Sequence, residues 1–269
     1  MKGNFAFDGL KFAGRYRLLL LAEALLLIWL SVQAVFPIVL HAVSPSDEAI
    51  AAGIADERVI LAHGLGRNER AMWLLEFRLR RAGFDVCTID YRTLATPLES
   101  ALNQAGSDIK SCIPEAGKVH FVGHSMGGLV IRHYLNLDTS LSDDKRLGEV
   151  VMLGTPNHGS ELADLAHDYF PEVWQGNVVV SLNTRGIGLA GQLPSPYYPT
   201  AVIAGTKPSV FTGFSFPGSN DGLVSTDSAR LPKMKDFLIV DVGHSMLRYD
   251  AEVAGQVIHV LRTGTFESP

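Results

Sequence analysis

A serine set between glycines constrains the fold of this 269-residue chain more than any other feature. The sequence GHSMG at 123–127 directly follows the apolar run 119–122 and directly precedes a helical run over 128–135. Such a G-x-S-x-G segment is typical of a sharp strand-to-helix turn, in which a side chain at either glycine would collide with the strand or the helix. The turn predicts a Ser125 hydroxyl exposed at the carboxyl end of its strand.

After residue 57, short β-branched apolar runs alternate with longer segments of helical period. This alternation predicts an α/β fold, a mostly parallel sheet of about six strands with flanking helices. The predicted strands are 58–62, 85–89, 118–122, 150–153, 200–204 and 237–242. The interval 160–199 breaks the rhythm, and we expect a short cap insertion over the sheet there. The last helix is predicted over 250–261.

The composition excludes several classes of protein. A net charge of −5 gives no basis for nucleic-acid binding, which depends on concentrated basic charge. Cys87 and Cys112 are the two cysteines, too few for a disulfide scaffold or a four-thiolate zinc site. They could pair in an oxidising compartment or remain two buried thiols. The nine histidines show no H-E-x-x-H or comparable spacing, so no catalytic metal is expected.

An uncharged apolar run near the N-terminus predicts a transmembrane helix. Residues 24–46 contain no Asp, Glu, Lys or Arg, and the run can cross a hydrocarbon core of about 30 Å as a helix. Cations precede this run and an acidic segment follows it, which places the rest of the chain in the periplasm or outside the cell. A cleaved signal peptide, with an A-x-A at 49–51, and a buried or interfacial helix of a cytosolic enzyme are the alternatives.

The chain is thereby divided into three parts. A cytoplasmic tail and membrane anchor, or signal segment, occupies 1–46, and a linker follows over 47–57. Residues 58–269 form the globular domain. The sequence does not predict the oligomeric state.

A serine hydroxyl needs a base to take its proton, and the base needs a carboxylate to orient it. In this architecture the chain order is Ser, Asp or Glu, His. His244 follows the predicted strand 237–242 and is the preferred base, whereas His259 falls inside the closing helix.

The preferred acid is Asp221, which follows the predicted strand 200–204. An ordinary Asp-Gly turn is the alternative interpretation of this residue. Asp227 and Asp241 are the reserve candidates.

The oxyanion formed by acyl attack needs two N–H donors. One belongs to the residue after the nucleophile, here Met126. The other comes from the loop after an earlier strand, where Leu65 is the candidate and Gly64 permits close backbone approach. His63, which opens this loop, is expected to hold it by hydrogen bonds more than to act chemically.

Five segments, in this order and spacing, resemble the α/β-hydrolase superfamily and, within it, the lipase and GPI inositol-deacylase-like branch. They are HGLGRN at 63–68, VHFVGHSMGGLV at 119–130, LGTPNHGS at 153–160, NDGLVS at 220–225 and VGHSMLRYD at 242–250. The resemblance implies an α/β-hydrolase fold with Ser125, Asp221 and His244 as catalytic residues. It also implies Leu65 and Met126 as the oxyanion donors.

Four further residues are candidates for substrate binding. Gly64 and His63 belong to the oxyanion loop, while Thr155 and Pro156 belong to a segment that shapes the acyl pocket in the family that the chain resembles. A Pro/Gly turn with a helix cap at Ser160 is the alternative interpretation of the second segment.

The sequence therefore predicts a membrane-anchored serine hydrolase of carboxylic esters, lipid acyl esters among them, that needs no cofactor. The same three residues could also serve an amidase, a thioesterase or an acyltransferase, since these enzymes differ in the group that attacks the acyl-enzyme. A non-catalytic binding protein with this fold is the alternative from another class.

Overall fold

Six parallel strands form one sheet in a computed structural model that describes residues 56–169, 178, 180–185, 188–208, 216 and 218–267. The strands are β1 (Arg58–Ala62), β2 (Asp85–Ile89), β3 (Val119–His124), β4 (Leu147–Leu153), β5 (Thr200–Gly205) and β6 (Asp236–Val240). Their order in the sheet is β2-β1-β3-β4-β5-β6, with every neighbouring pair parallel. The predicted six-stranded parallel sheet is therefore confirmed.

The strand order reverses between β1 and β3. The chain passes from β1 outward to β2, then crosses back over β1 to β3 and continues in the other direction. The connections on the two sides of this point leave a crevice at the carboxyl ends of β1 and β3, and in open α/β sheets ligands bind in such a crevice. The topology therefore points to the ends of these two strands.

Eight α-helices are described between and after the strands. They are α1 (Trp73–Arg81), α2 (Leu98–Cys112), α3 (Met126–Leu137), α4 (Ser140–Asp143), α5 (Glu161–Tyr169), α6 (Leu189–Gln192), α7 (Thr226–Ala229) and α8 (Ala251–Thr263). Short 3-10 helices lie at Glu69–Met72, Val180–Leu182 and His244–Met246. The closing helix predicted over 250–261 corresponds to α8.

Helices cover both faces of the sheet because successive residues of a strand point to opposite sides. In β1, Ile60 and Ala62 belong to the hydrophobic cluster that α2 and α3 share. Val59 and Leu61 belong to the cluster formed with α1 and α8. All four are fully buried, which explains why the strand appears in the sequence as one unbroken apolar run.

The segment predicted as a cap contains α5, the 3-10 helix Val180–Leu182 and α6 in its described parts. The Ser160 N–H donates to the Leu182 carbonyl at 2.7 Å, and the Ser160 hydroxyl donates to the Leu223 carbonyl at 2.7 Å. These bonds join the beginning of the segment to its later part and to the loop after β5.

The predicted membrane span, 24–46, lies outside the described residues. Within residues 56–267, as far as the structure describes them, no helix is long and apolar enough to cross a membrane. The N-terminal anchor stays a prediction.

Cys87 and Cys112 are joined in a disulfide, the alternative that the sequence left open beside two free thiols. Cys87 lies in β2, and Cys112 is the last residue of α2, with the two Cα atoms 5.9 Å apart. The bond closes a loop with a sequence separation of 25 and ties the second strand to the helix that follows it.

Replacing both cysteines by alanine is expected to lower the free energy of unfolding by about 3 kcal/mol, because the unfolded chain regains the entropy of a loop of this length. Urea unfolding of the oxidised protein, the reduced protein and the Cys87→Ala/Cys112→Ala variant measures the loss. Reduction and double substitution should lower stability by similar amounts. Two free thiols in the unfolded, unreduced protein would contradict the pairing.

Candidate active site

Ser125 lies in a strained turn between β3 and α3. Its φ is 56°, a left-handed conformation that few residues other than glycine adopt. A Cβ at Gly123 would lie 2.5 Å from the Gly128 nitrogen, and a Cβ at Gly127 would lie 2.2 Å from the Ala62 carbonyl oxygen. The two glycines of the motif are therefore required by close backbone approach, as the sequence predicted.

The loop after β1 comes directly against this turn. A Cβ at Gly64 would lie 2.9 Å from the Ser125 Cβ and 3.3 Å from the His124 carbonyl oxygen. The two loops thus meet at the point where the strand order reverses.

His244 is held by Asp221 through both side chain and backbone. The distance from His244 Nδ1 to Asp221 Oδ2 is 2.7 Å, and the His244 N–H donates to the Asp221 carbonyl at 2.9 Å. Both side chains are buried. Because a carboxylate only accepts hydrogen bonds, the shared proton belongs to Nδ1, and Nε2 of the neutral ring is left as an acceptor.

The turn around Asp221 fixes its carboxylate. Oδ1 accepts from the N–H groups of Leu223 at 3.0 Å and Val224 at 2.8 Å, which leaves Oδ2 for the histidine. Asp221 can therefore form an Asp-Gly turn and orient His244 at the same time. The reserve candidates Asp227 and Asp241 are exposed, and neither pairs with His244 in the described part of the chain.

A cavity of about 360 Å³ is lined by both Ser125 and His244. Most of its wall is apolar, from the side chains of Leu65, Leu94, Leu162, Leu182, Leu223 and Val224. Two of these leucines come from the described parts of the cap, in α5 and in the 3-10 helix 180–182. The arrangement places a hydroxyl and a buried imidazole at the wall of an apolar pocket.

The two predicted oxyanion donors lie next to the nucleophile in space. Leu65 lines the cavity. Met126 is fully buried and is the first residue of α3, and its N–H belongs to the first turn, where N–H groups have no partner four residues earlier in the helix. Such N–H groups favour negative charge placed near them.

Two of the four predicted substrate contacts lie behind the cavity wall instead. His63 is fully buried, stacks on Tyr91 with ring centroids 4.3 Å apart, and holds the Gly64 carbonyl at 2.9 Å from its Nδ1. Burial lowers the pKa of His63, so the ring is neutral. This is the loop-holding position that the sequence favoured, in place of contact with substrate.

Thr155 is also fully buried, against α3, where a Cβ at Gly128 would lie 2.1 Å from its Oγ1. It therefore supports the turn that carries Ser125. Gly64 and Pro156, the other two candidates, do line the cavity.

His124 is a cavity residue that the sequence analysis did not single out. Its Nε2 lies 2.9 Å from the His244 carbonyl oxygen, and because a carbonyl accepts, Nε2 donates. Burial, followed by the charges of His244 and Arg248, holds the pKa of His124 well below its usual range. The neutral ring thus fixes the backbone of His244 from the turn that carries Ser125. Its position beside the motif serine was the available signal.

Arg248 is the second residue that the sequence analysis missed. It lines the cavity four positions after His244, and its side chain is buried. It is the single cation in the motif segment 242–250, and this was the signal that could have indicated it.

Residues 59–256 match the model of the alpha/beta hydrolase family, and the chain belongs to that family. The solved structures that it resembles include the mature lipase BlEst2 of Bacillus licheniformis, which is 24% identical. The TM-score is 0.60, over 72% of this chain and 87% of that one. In the propeptide form of the same lipase the match covers 47% of that chain.

Two further structures share the fold at lower identity. Phospholipase PlaB of Legionella pneumophila is 16% identical, with a TM-score of 0.59 over 78% of this chain and 60% of that one. A monoglyceride lipase of Saccharomyces cerevisiae is 13% identical, with a TM-score of 0.52 over 78% of this chain and 85% of that one. These likenesses show the fold, and the narrower resemblance to the GPI inositol-deacylase-like branch stays a prediction.

The free energy of unfolding is expected to fall as the pH drops from 7.5 to 5.0, because burial lowers the pKa values of His63, His120 and His124 in the folded protein. Below pH about 6.5 the unfolded chain takes up protons that the folded protein does not. The contribution of these histidines to stability is therefore fully present above that pH. As the pH falls from there toward the pKa values of the folded protein, the free energy of unfolding decreases by up to about 1.4 kcal/mol per histidine for each pH unit. Urea unfolding at the two pH values measures the loss.

The matched control is His124→Gln, which keeps a donor for the His244 carbonyl and removes one titrating ring. This variant should lose less stability between pH 7.5 and 5.0 than the unaltered protein. A His124 ring signal that titrates near pH 6.5 in an NMR spectrum of the folded protein would refute this assignment.

Proposed function

We propose that this protein hydrolyses carboxylic esters through Ser125, His244 and Asp221 and an acyl-enzyme intermediate. The observation that carries the proposal is the 2.7 Å contact between His244 Nδ1 and Asp221 Oδ2 at the wall of the cavity that Ser125 also lines. A buried imidazole oriented by a carboxylate, next to a serine in a strained turn, is an arrangement suited to nucleophilic catalysis.

In the proposed first step, His244 Nε2 takes the proton of the Ser125 hydroxyl while Oγ attacks the ester carbonyl carbon. Asp221 keeps the ring in the tautomer with a proton on Nδ1 and stabilises the imidazolium that forms. The N–H groups of Leu65 and Met126 donate to the oxyanion. Collapse of the tetrahedral intermediate releases the alcohol, which takes its proton from His244.

In the second step, His244 takes a proton from water, and the hydroxide attacks the acyl group on Ser125. The acid is released and the Ser125 proton is restored. An amine or a thiol as the leaving group, in place of the alcohol of the ester, would give the amidase and thioesterase alternatives. An alcohol that attacks the acyl-enzyme in place of water would give the acyltransferase alternative. The apolar wall of the cavity gives none of these alternatives an advantage over the ester.

The apolar cavity supports an ester with an aliphatic acyl part. Leucine and valine side chains form most of its wall, so transfer of a hydrocarbon chain from water into it is favourable. The neighbouring structures named lipase, phospholipase and monoglyceride lipase are consistent with such substrates.

We also propose that the domain works in an oxidising compartment, periplasmic or extracellular, beside the membrane that the predicted N-terminal anchor would enter. The Cys87–Cys112 disulfide supports this proposal, since such bonds persist mainly outside the reducing cytosol. Alkaline phosphatase fused after residue 269 is expected to be active in a bacterial host, and a β-galactosidase fusion inactive. The reverse pattern would place the domain in the cytoplasm.

Ser125→Ala should lose hydrolysis of 4-nitrophenyl esters and labelling by a fluorophosphonate probe, because no other group supplies the nucleophile. Asp221→Asn is expected to lower kcat by about 10³- to 10⁴-fold, since the amide favours the wrong tautomer of His244. Measurements with acyl chains from acetate to palmitate, in the presence of a chelator, also give the preferred chain length.

Ser111→Ala and Asp227→Asn are the matched controls, because both residues are exposed and neither lines the cavity. Both variants should retain full activity. Equal activity of Ser125→Ala and the unaltered protein would refute the serine mechanism. A folded protein that neither hydrolyses esters nor takes the probe would favour the binding-protein alternative.

A further inference from the structure

Arg248 is a buried cation at the wall of the cavity, and no Asp or Glu in the described part of the chain pairs with it. Its side chain lines the cavity together with Ser125 and His244, and the residue is only 5% exposed. Its Nε is buried without a hydrogen-bond partner. A buried polar atom without a partner is unfavourable in a protein interior, so this arginine requires an explanation.

The guanidinium lies over an aromatic ring. Arg248 Cζ lies 4.5 Å from the centroid of the Tyr249 ring. An aromatic ring interacts with the face of a guanidinium, whereas its five N–H donors lie in the plane. The ring therefore attracts the cation without satisfying its N–H donors.

The cavity offers this cation no acid of its own. Of the described residues that line it, none is Asp or Glu, and the other arginine, Arg67, is exposed at the rim. The Asp221 carboxylate is already bonded by His244 and by two backbone N–H groups. The cavity is therefore apolar along most of its wall and positive at one end.

We propose that Arg248 binds a phosphate or carboxylate on the alcohol part of the substrate, so that the preferred substrates are anionic esters with an aliphatic acyl chain. The planar fork of a guanidinium matches the two oxygens of either anion. The leaving alcohol must lie near His244, which gives it a proton, and Arg248 follows His244 by four residues on the same cavity wall. This inference rests on the proposed ester hydrolysis.

Three esters with the same octanoyl chain test the proposal. They are 1-octanoylglycerol, which is neutral, 1-octanoylglycerol 3-phosphate and 4-(octanoyloxy)butanoate. Release of octanoate gives kcat/KM for each. We expect one or both anionic esters to exceed the neutral ester by about 10- to 100-fold, the range for hydrogen bonds to a buried charge. The two anionic arms distinguish phosphate from carboxylate recognition.

The ratio of anionic to neutral kcat/KM should collapse in Arg248→Met, which keeps an unbranched apolar side chain and removes the charge. Arg248→Lys keeps the charge and loses the fork, and we expect an intermediate ratio. Arg81→Met, an exposed arginine on α1, is the matched control and should keep the full preference. Circular dichroism establishes that each variant is folded, and the unaltered protein alone tests the preference if Arg248→Met does not fold.

Binding of octyl phosphate to Ser125→Ala, measured by calorimetry against uncharged octyl glucoside, separates the two proposals. Neutral esters hydrolysed with no anionic preference, and no binding of octyl phosphate, would overturn the role of Arg248 and leave the hydrolase. A different outcome would support the anion site and overturn the hydrolase. In that outcome Ser125→Ala binds octyl phosphate, Ser125→Ala/Arg248→Met does not bind it, and the unaltered protein hydrolyses no ester. An anionic preference retained in Arg248→Met would also overturn the inference.

Discussion

The close approach of the β3–α3 turn to the end of β1 is the constraint on which the site depends. No side chain fits at Gly127, because its Cβ would lie 2.2 Å from the Ala62 carbonyl oxygen. This contact places the first turn of α3 against the end of the first strand, beside Ser125 with its φ of 56°. The same approach brings the loop at Gly64 within contact of Ser125. A strained backbone is retained here because the packing around it leaves no alternative.

The imidazole reaches this turn through a second set of fixed contacts, made by backbone groups. Asp221 accepts two N–H groups of its own turn at Oδ1 and receives the His244 N–H at its carbonyl oxygen. His124 then donates to the His244 carbonyl from the nucleophile side. The segment carrying the base is thus fixed between the loop after β5 and the turn after β3. Rigid elements of this kind hold catalytic groups more accurately than side-chain packing alone.

The sequence predicted the sheet because strands buried on both faces appear as apolar runs, but it placed several strand ends imperfectly. β4 begins at Leu147, three residues before the predicted 150, because Gly148 and Glu149 give no apolar signal. Gly148 is required there by the His120 ring, 2.5 Å from where a Cβ would lie. β6 ends at Val240, since the Val242 N–H turns back to the Val240 carbonyl. The contact between Gly148 and His120 joins residues far apart in the chain, so a local sequence pattern does not record it.

The motifs similarly indicated the serine, the acid and the histidine but not the residues that act on them. His124 and His244 are 120 positions apart, and their contact exists only in the folded chain. The role of His63 was predictable because its partners, Gly64 and the nearby Tyr91, lie at the end of adjacent strands. A residue's place in a motif predicts its chemistry, whereas its orientation depends on tertiary packing.

Several buried side-chain atoms in the described part of the chain have no hydrogen-bond partner, among them atoms of Arg132, Glu149 and Arg248. Arg132 Nε and Glu149 Oε2 lack partners, but each side chain is satisfied at another atom, through Asn157 and Lys235 respectively. Arg248 differs, because within the described residues its charge has only the face of an aromatic ring. Among the described side chains, Arg248 thus carries a charge at the wall of the cavity that no hydrogen-bond acceptor of the chain offsets. A protein core under selection for stability alone would replace such a group by an apolar side chain of similar volume.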